Sequence, residues 1–299
     1  MPNENNPTGS RNTGKFTDEE IKQRKALEKT ALEKSCYVVG AGAFSVFVRW
    51  LQTMLAFDDN GLVDPSIFNL LVPLIVIAAG YVFLRFNDNF RNNRWHVPEN
   101  FHDALYTEGK LYHLASWVIG GIVTVGSILL FITSETDKNV ELLRVLAVVG
   151  ILDGLTFPMI FSYANRPHVT NRGTVCFFAF IPILLFCVWL IVCYKVNATN
   201  PVAWQYGLEA LAIILSIIAF FRVAGYAFDS PNEWRSMFFA MLAAAVDIMV
   251  IADSRNIGMQ LMFFGSSMML VFYNWVLITN MQQAAKLERQ SVQDGFERL

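Results

Sequence analysis

The chain has 299 residues, 54% of them apolar and 16% charged, with a formal net charge of −2 and a mean hydropathy of +0.40. That balance excludes an ordinary soluble domain and gives no reason to expect a nucleic-acid partner. It points to an integral membrane protein whose first partner is the lipid bilayer.

In chain order, residues 1–35 read as a polar cytoplasmic tail. Residues 1–14 are rich in Asn, Pro, Gly, Ser and Thr and read as disordered. Thr17 and Glu20 have the spacing of a capping box that opens a charged helix over 16–35. No cleavable signal segment is expected, because the polar tail precedes the first apolar run. Eight apolar runs follow, at 36–57, 66–86, 111–133, 142–163, 174–194, 204–228, 236–252 and 257–281. Each approaches the length of about 20 residues that a helix needs to cross roughly 30 Å of hydrocarbon. Lipid offers no partner to an unpaired backbone, and the runs lack the period-two pattern of a barrel, so helix is the expected conformation. The expected fold is therefore all-α: a polytopic bundle of about eight transmembrane helices over 36–281, with 282–299 extending the last helix into the cytoplasm. The seventh run is short and carries Asp247.

Orientation follows from the basic residues between the runs. The segments 1–35, 87–110, 164–173, 229–235 and 282–299 hold sixteen Lys and Arg, whereas 58–65, 134–141, 195–203 and 253–256 hold three. The excess places both termini in the cytoplasm, in a plasma (cytoplasmic) membrane. The cysteines Cys36, Cys176, Cys187 and Cys193 lie in or beside apolar runs without a C-x-x-C pair, and read as small apolar residues.

Ionisable groups within a bilayer cost several kcal/mol unless paired or wet, so each is a functional candidate. Arg49 and Gln52 share one face of the first helix at i, i+3 spacing. Asp153 falls near the middle of the fourth, Glu209 in the outer third of the sixth, and Asp247 in the outer third of the seventh. One cation against three acids leaves a carboxyl that must be protonated, face water or bind a cation. These five residues are the expected binding centre of a carrier for a small solute or ion. The plainer expectation is an Arg49–Glu209 or Arg49–Asp247 pair that fixes helix packing. Gly154 with Pro158, and Gly265-Ser266-Ser267, are positions at which a helix can break and expose backbone carbonyls. Gly120 and Gly121 read as close helix contacts.

The four histidines, His96, His102, His113 and His168, fall on the cytoplasmic side, three of them in or beside the longest loop. Arg85, Arg91 and Arg94 near that loop are candidates for phosphate or lipid headgroups. Neither a metal site nor a cofactor is expected, since no H-E-x-x-H, G-x-S-x-G or Walker pattern occurs. Asp88, and Asp229 with Glu233, stand in the loops where UbiA-type prenyltransferases hold magnesium diphosphate. The first motif lacks its further aspartates, with Arg91 and Trp95 in their place, so the resemblance stops at topology. Besides a carrier, the alternatives are a non-catalytic sensor, partner subunit or lipid-interacting protein, and an enzyme with a cytoplasmic site at Asp88, His96, His102, Asp229 and Glu233.

Overall fold

In a computed structural model the described residues are 18–55, 57–58, 61–62, 67–92, 98, 101–107, 110–136, 139–165, 172–198, 203–228, 230–253 and 256–297. The tail at 1–14, Thr17, Arg94, His96, His168 and Asp229 lie outside them. Eight long helices carry the architecture: α1 (Asp18–Leu55), α2 (Phe68–Asn92), α4 (Lys110–Thr133), α5 (Val140–Ala164), α6 (Arg172–Asn197), α7 (Ala203–Ala224), α8 (Glu233–Val250) and α9 (Ile257–Glu297). A short α3 (Phe101–Leu105) lies between α2 and α4, and a two-residue antiparallel hairpin pairs Phe57 with Leu62 after α1.

The protein is a polytopic helical bundle. Among the described residues six helices are long and apolar enough to cross a bilayer: Ser35–Leu55 within α1, then α4, α5, Gly173–Asn197, Tyr206–Ala224 and Ile257–Met281. The other two depart from the expectation of eight equivalent spans. The apolar part of α2 is only Leu70–Arg85, and α8 has 18 residues, among them Glu233, Arg235 and Asp247. The neighbours of α8 explain its composition. It packs against α1, α2, α7 and α9, and every residue from Ala243 to Val250 is buried. A helix enclosed by protein on all sides needs small residues for close approach, here Ala240, Ala243, Ala244 and Ala245, more than it needs a lipid-compatible surface.

Helices α4 to α9 each pack on the next, and α9 returns onto α4. The closed ring is filled by aromatic side chains rather than left as a channel. Trp189 packs at a tilt on Phe263 at 4.2 Å, Phe186 stacks on Phe220 at 5.6 Å, and Phe157 meets Tyr273 edge-on at 5.4 Å between ring centroids. Helices α1 and α2 lie outside this ring, against α8.

Neither suspected helix break occurs. Helix α5 continues through Gly154 and Pro158, and α9 through Gly265. The glycines instead let backbones touch. A Cβ on Gly120 or Gly154 would overlap the other's carbonyl oxygen, and one on Gly126 would come within 2.9 Å of the Gly258 carbonyl. Helix α4 thus meets both α5 and α9 across glycine seams. Gly121 faces open space and takes no part.

Candidate functional site

Arg49 and Gln52 stand one turn apart on α1, exposed by only 1% and 0%. Arg49 Nε donates to Asp253 Oδ1 at 2.7 Å, and Nη1 donates to Gln52 Oε1 at 2.6 Å. Asp253 belongs to the turn after α8, and Gln260 on α9 donates to its backbone carbonyl at 2.9 Å. The ion pair therefore ties α1, α8 and α9 together at the end of the bundle that the Lys and Arg distribution places outside. In the sequence Asp253 falls in an outer loop, and the expected partners of Arg49 are Glu209 or Asp247; the structure pairs it with Asp253 instead. Asp253 is buried because a guanidinium at this depth requires a carboxylate, and the turn after Val250 brings one to it.

The other candidates lie on separate seams. Glu209 on α7 accepts from Trp189 Nε1 at 3.2 Å and from Cys193 Sγ at 3.2 Å, both on α6. Asp247 on α8 accepts from Ser216 Oγ on α7, at 3.0 Å to Oδ1 and 2.8 Å to Oδ2. Both acids are wholly buried. Ser216 and Trp189 were not singled out in the sequence, since a serine or tryptophan in an apolar run carries no signal of its own.

Asp153 differs from all of these. It is 0% exposed in the middle of α5, and neither carboxyl oxygen has a hydrogen-bond partner among the described residues. Its own helix places Phe157 one turn away, edge-on to Tyr273 of α9 in the aromatic filling. A buried polar group of this kind calls for a reason beyond packing.

A groove of about 430 Å³ opens between α2 and α7, with Arg49 on its wall. Gln52, Asp153, Glu209 and Asp247 do not line it. This groove therefore gathers only Arg49 of the five expected residues.

At the end of the bundle that the Lys and Arg distribution assigns to the cytoplasm, hydrogen bonds fasten α3 over the bundle. Asn280 Nδ2 on α9 donates to the Ala104 and Tyr106 carbonyls, each at 2.9 Å. The Thr107 amide donates to Asn165 Oδ1 at 2.7 Å, and Asn165 Nδ2 donates to His113 Nε2 at 3.1 Å. His102 Nδ1 is bonded to the Ala164 carbonyl. Two of the histidines thus hold the loop to α4 and α5. Among the described residues no group of three His, Cys, Asp or Glu is placed to hold a metal. Glu233 is buried beside Tyr226; burial, reinforced by the Glu233 charge, pushes the Tyr226 phenol up, so the phenol stays neutral. Arg85 is exposed on α2, and the side chains of Asp88 and Arg91, like the whole of Arg94, lie outside the described residues.

No family model, no curated protein and no solved structure significantly matches this chain.

Proposed function

We propose that the protein is a carrier in which proton or cation binding at Asp153 is coupled to movement of a small solute. The observation that supports this is the Asp153 carboxyl itself, wholly buried at mid-span with both oxygens unbonded among the described residues. An anion held there without a partner costs several kcal/mol, so the site favours a proton or a small cation on the carboxyl. Asp247, hydrogen-bonded among the described residues to the Ser216 hydroxyl, is the second coupling group. In this reading Arg49, Gln52 and Glu209 are ties between helices. The glycine seams of α4 supply the movement: backbones that meet without interlocking side chains slide at low cost, and displacement of α4 admits water toward α5. The enzyme alternative has less support, since His102 and His113 are engaged in holding α3.

The test uses dicyclohexylcarbodiimide on protein reconstituted in liposomes. This apolar reagent adds to a protonated carboxyl in a membrane and leaves a stable N-acylurea that peptide mass mapping locates. Asp153 is expected to be labelled, with labelling lost at alkaline pH. Protection by sodium would identify a cation site, and insensitivity to sodium a proton site. Wild-type solute movement in Asp153→Asn, or no labelling of Asp153 at acid pH, would overturn the reading.

A further inference from the structure

Helices α5 and α9 each pack closely on α4 but, among the described residues, not on each other. Side chains bridge the gap between them, and their contacts fix the register. A Cβ on Gly150 would come 2.7 Å from the terminal methyl of Met262. Further along both helices, Phe157 and Phe161 meet Tyr273 at 5.4 and 5.3 Å between ring centroids. The two helices therefore run in the same direction, and the residues between these contacts share a level. One turn past Gly150 stands Asp153, and one turn past Met262 stands Ser266. Their chain neighbours Gly154 and Gly265 lie against α4, at Thr124 and Val123, which turns Asp153 and Ser266 away from α4. Asp153 is one turn from Phe157 and Ser266 two turns from Tyr273, on the faces that fill the ring.

Ser266 is 0% exposed, and its hydroxyl, like both oxygens of Asp153, has no hydrogen-bond partner among the described residues. Neighbouring hydroxyls turn back to a carbonyl of their own helix: Ser127 to Val123 at 2.8 Å, Thr156 to Asp153 at 3.1 Å and Ser267 to Phe264 at 2.7 Å. Three unbonded oxygens thus occupy one layer of the ring, between the Trp189–Phe263 and Phe157–Tyr273 contacts. Packing gives no reason for such a layer.

We propose that Asp153 and Ser266 together hold a monovalent metal cation of the sodium class, the coupling ion of the carrier. The proposal rests on the carrier reading of Asp153 and adds the kind of ion and a second binding residue. A proton occupies one of the three oxygens, whereas a hard cation draws on all of them. One carboxylate and one monovalent ion make a neutral pair. A divalent ion would leave a net charge among aromatic side chains, which apolar surroundings penalise.

The test is carbodiimide labelling at acid pH of protein reconstituted in liposomes, in sodium chloride or in choline chloride of equal ionic strength. Sodium is expected to protect Asp153 in the wild type. Ser266→Ala removes the hydroxyl, and Ser266→Cys replaces its oxygen with a soft sulfur. Each should raise the sodium concentration for half-protection by roughly tenfold or more, while Asp153 is still labelled in choline. Ser267→Ala, which loses only a bond within its own helix, should keep the wild-type protection. Wild-type labelling that sodium does not slow, or wild-type protection in both Ser266 variants, would overturn the cation site and leave Asp153 as a proton carrier. No labelling of wild-type Asp153 in choline would overturn the carrier reading and the cation site with it.

Discussion

Arg49 Nε and Asp253 Oδ1 lie 2.7 Å apart, and their side chains are 1% and 7% exposed. A residue in the first span is thereby joined to a turn 204 positions later in the chain. Removing one member of such a pair leaves a buried charge without its counterion. Asp253→Ala should lower stability by about 3–5 kcal/mol, measured as loss of thermal stability in detergent. Replacing both partners, as Arg49→Met with Asp253→Leu, should recover most of that loss, because an apolar pair leaves no charge to compensate.

The glycine seams give a second set of outcomes. Gly120→Ala and Gly154→Ala force a methyl group against a backbone carbonyl and should each cost about 1–3 kcal/mol by overpacking. Gly121→Ala adds its methyl to open space and should be neutral or slightly stabilising. Equal melting temperatures for Gly120→Ala and Gly121→Ala would contradict the close α4–α5 contact.

Asp153 and Ser216 should respond in opposite directions. Asp153→Val replaces an unsatisfied carboxyl with an apolar side chain and should stabilise the bundle by about 1–3 kcal/mol, while abolishing coupled transport. Ser216→Ala removes the hydroxyl that donates to the Asp247 carboxyl and should destabilise by a similar amount. Gain of stability with loss of activity is the pattern of a group retained for function. Both effects are readable from thermal unfolding of the purified variants.

Loosening of the cytoplasmic cap should be local. Asn280→Leu removes one hydrogen bond to α3 and one to Tyr106 just after it, worth about 1 kcal/mol each. Amide exchange over 101–107 should then accelerate roughly 5–30-fold, while the ring of α4 to α9 keeps its protection. Acceleration spread equally through the bundle would mean that Asn280 supports the whole fold and not α3 alone.

Hydropathy runs and basic-residue counts are local properties, and they were enough to foresee a helical membrane bundle with a helix for each apolar segment. They were also enough to mark Arg49, Asp153, Glu209 and Asp247, since an ionisable residue amid lipid-compatible sequence is conspicuous wherever it occurs. Of the seam glycines only Gly120 was legible as a contact point: Gly121 beside it faces open space, Gly154 reads as a break in α5, and Gly126 and Gly258 carry no signal in the sequence. Which groups meet was decided by tertiary structure. Asp253 reads as loop until the turn after α8 brings it onto Arg49, and Ser216 is unremarkable until α7 lies against α8. The groove beside Gly207 forms where α2, resting on α1 and α8, runs beside α7. Composition determines that a segment enters the membrane because transfer free energy is summed along one helix. The neighbours of that helix are chosen by shape and by the few buried polar groups that must find partners, and both depend on residues far apart in the chain.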